Sequence, residues 1–561
     1  MKTFTFLIAV FTFHFSLFTF HSLAQSSRLW ATYYGGTGYE YGGNSVTTDA
    51  SGNVYMAGYT QSNSGIASGG FQNTFGGVWD AFLVKFDANG NRLWATYYGG
   101  TAQDYGNSVT TDASGNVYMA GHTFSTSGIA SGGFQNTFGE GYDDAFLVKF
   151  DANGNRLWAT YYGGTAQDYG NSVTTDASGN VYMAGGTSST SGIASGGFQN
   201  TYGGVADAFL VKFNANGNRL WATYYGGTDG DGGNSVTTDA SGSVYMAGYT
   251  GSTSGIASGG FQNTLGGEDD AFLVKFDING NRLWATYYGG TGGDYGYSVT
   301  TDASGNVYMA GLTKSTSGIA SCGFQNTFGG SNDDAFLVMF GAAGNRLWAT
   351  YYGGMDYDYG YSVTTDASGN VYMAGLTKST SGIASGGFQN TYGGGGDAFL
   401  VRFGVYSPPS VNAGDALTIC NGSSTTLSVT TTGGTLPYTY QWSPAAGLDN
   451  TTALNPIATP TTTTTYTVLV TDANGCNASD TVQINNSIVP SAPSICVVTV
   501  DSLSKYNLVI WDKTSYPIAD TFFVYRDTAN NNYALIGKVP YTSLSQFIDT
   551  VRTLYAANGD P

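Results

Sequence analysis

The run Ser45–Thr60, SVTTDASGNVYMAGYT, returns five times with few changes, beginning at Ser108, Ser172, Ser235, Ser298 and Ser362. Two short β-type runs flank a D-A-S-G-N turn that places Gly where a tight hairpin needs positive φ. One such hairpin cannot bury its own apolar side chains, here Val46, Val54 and Met56. Six in tandem bury them by packing against one another.

A second recurring run, Leu-Trp-Ala-Thr-Tyr-Tyr-Gly-Gly, begins at Leu29, Leu93, Leu157, Leu220, Leu283 and Leu347, a spacing of 63 or 64 residues. Each unit holds four strand-like runs; in the first they are Ser45–Asp49, Asn53–Tyr59, Asp80–Phe86 and Arg92–Tyr98. Phe82, Val84 and Phe86 alternate with Leu83 and Lys85, the period-2 pattern of a strand. Asp87–Asn91, D-A-N-G-N, is a second short turn, and one long connection, Thr60–Trp79, takes up the rest of the unit. Four antiparallel strands repeated radially is the plan of a β-propeller blade. The phase adds a constraint. The array opens on an isolated fourth-strand run, Arg28–Gly36, and ends on a third-strand run, Asp397–Phe403. The first run completing the last sheet predicts an all-β fold, a six-bladed β-propeller closed by the N-terminal strand, with no sheet edge left open.

The runs D-A-S-G-N-V-Y-M-A-G, F-Q-N-T-F-G-G and D-A-F-L-V-K-F resemble the bacterial SBBP β-propeller repeat family. The resemblance covers the array and implies a secreted or surface bacterial protein with no single activity. The family is named for seven blades; six units are counted here.

The formal net charge of −19 argues against nucleic acid or an anionic membrane surface as a partner. The first residues read as an export signal, 1–24: basic Lys2, the Phe-rich run Phe4–Phe20, and Ser22-Leu23-Ala24 before Gln25. The expected location is secreted or cell-surface, with no transmembrane anchor. Once that segment is removed, His122 is the only histidine, so His-dependent nucleophilic or metal chemistry lacks material. The protein is expected not to be an enzyme. An extracellular hydrolase or lyase using carboxylates is the alternative.

The short turns barely change between units, whereas variation gathers in the connection entering each first strand, after Met-Ala-Gly (Tyr59, His122, Gly186, Tyr249, Leu312, Leu376), and before Asp-Ala-Phe. In an antiparallel blade these places share one face, where recognition usually sits. That face holds Glu40, Asp104, Asp168, Asp231, Asp294 and Asp358 at equivalent places. Either each caps its own loop by accepting backbone N–H bonds, the reading with more weight, or together they hold a hard cation such as Ca²⁺. No other cofactor is expected. Beside them Tyr41, Tyr105, Tyr169, Tyr295 and Tyr359 either pack between blades or stack on a sugar ring or a partner's side chain. A protein or glycan is the expected partner.

The propeller spans 28–404. At Ser407-Pro408-Pro409 the chain turns Thr/Ser-rich, and 405–411 reads as a linker. Short alternating strands around Trp442 give a β-sandwich over 412–486, and Cys420 and Cys476 both fall inside it. The stretches Tyr440-Gln441-Trp442-Ser443-Pro444 and Asp472-Ala473-Asn474-Gly475-Cys476 resemble the PKD/immunoglobulin-like modules of bacterial surface proteins, and a Cys420–Cys476 disulfide is expected. Strand-like runs over 490–561 look like a fibronectin type III-like sandwich with five of its seven strands, a module that reads as truncated. A partner for Cys496 is expected beyond it, and Cys322, standing where other units have Gly, is expected to be a free thiol. Secretion by the type IX route is implied by resemblance alone.

Overall fold

The computed structural model describes residues 30–420, 422–487, 495–500, 507–511, 521–529, 532–544 and 546–549. The export signal and Cys496's pairing lie outside the described residues and side chains. The chain divides into two compact units, Met1–Tyr406 and Ser407–Pro561.

In the first unit β1 (Glu40–Thr48), β2 (Val54–Thr60), β3 (Asp80–Phe86) and β4 (Arg92–Tyr98) form one antiparallel sheet in chain order. Four more such sheets follow, and a sixth has three strands, Asp358–Thr365, Val371–Thr377 and Asp397–Phe403. The β1–β2 turn is held by its own sequence. Gly52 takes φ +79°, its N–H donates to Asp49 O at 3.0 Å, and Asp49 Oδ1 accepts the N–H groups of Ser51 and Asn53. The register then pairs Val46 with Met56 and Met56 with Val84. The long connection returns to the outer edge: Ser68 N–H donates to Ala95 O at 2.9 Å, and Tyr97 N–H donates to Gln72 O at 2.9 Å. Thus β4 lies between β3 and the Ser68–Gln72 stretch.

The first strands of consecutive sheets pack against one another, and fourth strands do not, which is the radial plan of blades. Each junction is a core shared by two sheets. At the first, Tyr55, Leu83, Trp94 and Tyr98 meet Met119, Phe146, Val148 and Phe150 of the next sheet. Trp94 Nε1 donates across to Ala152 O at 3.0 Å, and Tyr98 Oη donates to Ile129 O at 2.6 Å. Burying each large side chain contributes roughly 1.5–3 kcal/mol, and a lone sheet would forgo it on both faces.

The closure expected from the phase of the repeats is not made. Trp30–Gly36 forms no strand and pairs with none, and the sixth sheet keeps its outer edge open. The segment's aromatic side chains are instead seated on the first sheet: Trp30 Nε1 donates to Ala88 O at 3.0 Å, and Tyr34 Oη to Ile66 O at 2.8 Å. Asp358–Thr365 does not pack on β1 as other consecutive first strands do, and Asp397–Phe403 is paired on one side only, with Val371–Thr377. Cys322 adopts φ +60°, the left-handed conformation that Gly69 takes at +73° in the first unit; its thiol is free.

In the second unit Leu417–Cys420, Asn477–Ser487, Thr464–Thr471 and Thr439–Ser443 form a sheet in that order, and two smaller two-stranded sheets accompany it. Trp442 is 1% exposed and packs with Leu427, Ala458 and Val468. Cys420 and Cys476 are not bonded to each other, contrary to expectation. Cys420 pairs in parallel register with Ser487, whereas Cys476 precedes Asn477 at the other end of that 11-residue strand. At about 3.3 Å per residue the two lie far beyond the roughly 7 Å a disulfide spans between α-carbons. Ile495–Val500, Asn507–Trp511 and Gln546–Asp549 form another sheet, and Thr521–Ala529 pairs with Asn532–Pro540.

Candidate functional site: the long-connection face

Each first strand begins with an acid whose side chain turns inward. Asp104, Asp168, Asp294 and Asp358 are fully buried and Asp231 nearly so. Asp104 Oδ2 accepts Gly100 N–H at 2.8 Å and Ser125 Oγ–H at 2.9 Å, and Oδ1 accepts the Thr123 hydroxyl. Asp168 takes the same three donors from Gly164, Ser189 and Thr187. Glu40 takes Gly36 N–H, Thr60 Oγ1 and Ser62 Oγ. These acids therefore close their own loops rather than ring an open mouth. Among the described residues no group of three or more His, Cys, Asp or Glu converges to hold a metal ion.

Facing them is the Asp before each Ala-Phe, readable in the sequence as a cap on its own loop, as its Oδ2 shows by accepting the N–H of Gly76 or Gly139, but not as a partner of the first-strand acid. The Asp that opens each third strand, Asp80, Asp144, Asp207, Asp270 and Asp334, is also fully buried, and in each the Oδ1 atom accepts no hydrogen bond from the protein. A methyl group placed on Gly163 would lie 2.4 Å from Asp144 Oδ1 and 2.7 Å from Asp168 Oδ2, so the two carboxyl groups converge beside that glycine. The same holds at Gly99, Gly226, Gly289 and Gly353. Burial first, and then the charge of the neighbouring acid, pushes Asp80, Asp144 and Asp334 up to about 7. In such a pair one carboxyl keeps its proton to a higher pH than a free aspartate does.

The tyrosine after each first-strand acid turns outward, because successive strand residues face opposite ways. It pairs across the sheet with the variable residue that follows Met-Ala-Gly: Tyr41 with Tyr59, Tyr105 with His122, Tyr169 with Gly186, Tyr295 with Leu312, and Tyr359 with Leu376. The pairs join into a file. Tyr41 stacks on Tyr59 with centroids 5.3 Å apart, Tyr59 meets Tyr105 edge-on at 4.7 Å, Tyr105 stacks on His122 at 4.6 Å, and His122 meets Tyr169 at 5.0 Å. Gly186 and Gly232 interrupt it, and Tyr249 resumes it against Tyr295 at 5.4 Å. Trp79, Phe124 and Tyr142 flank it. Burial draws the His122 imidazole down to about 4, so it is neutral at physiological pH and acts here as a flat ring. Tyr41, Tyr142 and Tyr361 are exposed over half their surface or more. A row of partly exposed rings offers stacking surfaces at low conformational cost. The variability after Met-Ala-Gly was the one signal in the sequence for Tyr59, His122 and Tyr249.

Five segments, 29–65, 93–127, 157–192, 283–318 and 347–382, match the SBBP β-propeller repeat model. An uncharacterized WD repeat-containing protein, L264, of Acanthamoeba polyphaga mimivirus is 25% identical over 452 residues, covering 62% of this chain and 31% of that one. The regulatory protein FlaEY of Caulobacter vibrioides is 28% identical over 167 residues, covering 30% and 17%. The chain thus spans less than a third of either relative. Among solved structures, a gluconolactonase from Xanthomonas campestris has a TM-score of 0.29 at 9% identity, covering 61% of this chain and 84% of that one. An apocarotenoid oxygenase of Synechocystis has a TM-score of 0.27 at 10% identity, covering 81% and 95%. Scores this low carry nothing about activity. Five of the six sequence units thus carry the β-propeller repeat, and the sheets they build are arranged as propeller blades.

Proposed function

We propose that the chain is an exported cell-surface or secreted binding protein, with the propeller array as the interaction platform. The observation that carries this is the aromatic file from Tyr41 to Tyr169 on the long-connection face, the face where the repeats differ. Flat, partly exposed rings suit a glycan's sugar faces or a partner's apolar side chains. The residues at 412–486 act as a PKD/immunoglobulin-like spacer and those at 490–561 as a fibronectin type III-like one. The buried core around Trp442 supports a sandwich in the first of these. Adhesion fits this layout, with no cofactor required. A non-enzymatic role is favoured over a hydrolase or lyase because the paired carboxyl groups of the first and third strands are withdrawn from the surface.

The test is a glycan array and a pull-down from extracellular material with the mature chain, beside a Tyr41→Ala/Tyr105→Ala/Tyr169→Ala variant. Retained partners that disappear with the variant support the proposal; blank results in both screens overturn it.

A further inference from the structure

In five sheets the RLWATYY strand fills a slot between the third strand and the long connection. The sixth sheet has both walls of that slot and no strand in it. Asp397–Phe403 is one wall and Ser385–Gln389 the other, and between them lies a groove of about 830 Å³ lined by Phe388, Gln389, Phe399, Leu400 and Arg402. Leu400 is 74% exposed, where its equivalents Leu83, Leu147, Leu210, Leu273 and Leu337 are fully buried. The matching donor is at the other end of the array. Arg28–Tyr34 reads RLWATYY, identical to Arg92–Tyr98. Seated on the first sheet, Trp30 and Tyr34 repeat the contacts that Trp94 and Tyr98 make with the second: an indole N–H to a turn carbonyl, and a phenol to the carbonyl of Ile66 or Ile129. The backbone of Trp30–Tyr34 pairs with no strand, and Tyr33 is fully exposed where Tyr97 is 1% exposed.

We propose that the groove of the sixth sheet accepts the Arg28–Tyr34 strand of a second copy of this chain, so that copies join head to tail. Trp30 and Tyr34 of the donor are already seated on their own first sheet, and the first strands of the first and sixth sheets do not pack together as consecutive first strands do. The two complementary ends of one chain therefore meet in different chains, and the contact is heterologous. Its backbone ladder is strand addition at an open edge. Transferring the register of the first sheet, where Leu83 pairs with Thr96 and Lys85 with Trp94, sets Leu400 opposite Thr32 and Arg402 opposite Trp30. Two further positions gain what their equivalents already have. Phe71, Phe134, Phe198 and Phe261 each carry an Arg from the next sheet's fourth strand at 4.3 Å, whereas Phe324 is 70% exposed and would receive Arg28. Asp397 would meet Glu40, as Asp144 meets Asp168.

The test mixes two single variants of the mature chain, Thr32→Cys and Leu400→Cys, under mild oxidation. It is run beside the Thr32→Cys/Leu400→Cys double variant and with sedimentation of the native chain over a range of concentrations. Expected are a cross-linked heterodimer in the mixture, absent from either single variant alone, a ladder from the double variant, and concentration-dependent association that Leu400→Lys weakens at least tenfold. A double variant that cross-links only within the monomer would show ring closure and overturn the proposal. So would a native chain that sediments as a monomer throughout, with no heterodimer in the mixture.

Discussion

The two ends of every sheet carry buried or half-buried aspartates with opposite fates. At the short-turn end Asp112 is saturated: Oδ1 accepts Ser114 and Asn116 N–H at 2.9 Å, Oδ2 accepts Asn116 Nδ2 at 2.7 Å and Tyr118 Oη at 3.0 Å, and Lys149 Nζ stands 3.8 Å away. Burial works against its charge, but the donors around it hold its carboxyl below the usual range. At the long-connection end Asp144 leaves Oδ1 unpaired, faces another acid, and is pushed up to about 7. The short-turn end is built to hold charge and so fixes the turn sequence. The long-connection end keeps its charge half-neutralised and spends its sequence freedom on what lies outside the acids.

Alanine at a glycine from each end gives the largest contrast. At Gly163 the new methyl group falls 2.4 Å from Asp144 Oδ1 and 2.6 Å from its Cγ, inside a packed junction. Gly163→Ala is expected to cost about 3 kcal/mol, at the upper end for overpacking. At Gly179 the same group meets nothing within 4 Å, and only φ +78° resists it. Gly179→Ala should cost about 1 kcal/mol. Urea unfolding compares them, and equal losses would break the distinction between a crowded and a merely strained end.

Removing the acids separates the ends next. Asp112→Ala strips four hydrogen bonds and one ion pair from a turn and should cost about 2–3 kcal/mol. Asp144→Asn keeps an acceptor for Gly139 N–H and gives Asp168 a neutral neighbour. It should change stability by less than about 1 kcal/mol near pH 5, where Asp144 still holds its proton, and stabilise increasingly as pH rises toward 8. A loss at Asp144→Asn as large as that at Asp112→Ala would mean that both ends depend on charge.

Much of this contrast was legible in the sequence, and the illegible part has a definite cause. The D-A-S-G-N turn, the strand runs and the register-setting alternation of Phe82, Val84 and Phe86 are local, so reading them required only neighbours in the chain. The loop-capping fate of Asp104 and Asp168 was readable for the same reason, their N–H donors lying four residues back. The convergence of Asp144 on Asp168 was not, because it joins the third strand of one sheet to the first strand of the next. The aromatic file depends on cross-strand and cross-sheet neighbours in the same way. The open sixth sheet is a further step removed: the run that matches its edge is legible at Arg28–Gly36, but its seat on the first sheet depends on tertiary contacts of Trp30 and Tyr34.

The pH profile tests the two ends together. Asp80, Asp144 and Asp334, at about 7 in the folded chain, lie above the roughly 4 of an unfolded Asp. The folded state therefore binds their protons more tightly, and their contribution is complete below pH 4 and lost as pH rises toward 7. Each accounts for up to about 1.4 kcal/mol per pH unit across that window. Asp49, Asp112 and Asp176 are lowered, so their contribution is present above pH 4 and lost as pH falls further. Maximum stability near pH 4–5, with an apparent melting temperature that falls from pH 5 to pH 8, is the expected profile. Asp144→Asn should flatten the upper limb only, and a flat native profile between pH 5 and 8 would remove the carboxyl pairs from the account.

The smallest expected effect sharpens what the short-turn end owes to its cation. Lys149 Nζ lies 3.8 Å from Asp112 Oδ2 and 5.0 Å from the centroid of Tyr118, and it donates to Ala215 O of the next sheet at 3.2 Å. The unit's last copy of this residue is Arg402, and the fifth is Met339, which is 6% exposed at the same register position and leaves Asp302 with its hydrogen bonds intact. One sheet thus already dispenses with the ammonium. Lys149→Met should accordingly cost only about 1 kcal/mol, because Met fills the space of the lysine stem and Asp112 keeps its four donors while losing one partly desolvated ion pair. Double-mutant cycles between Lys149→Met and Asp112→Asn measure the coupling. A coupling well above 1 kcal/mol would make the ion pair, rather than the hydrogen-bonded turn, the reason this end of the sheet barely varies.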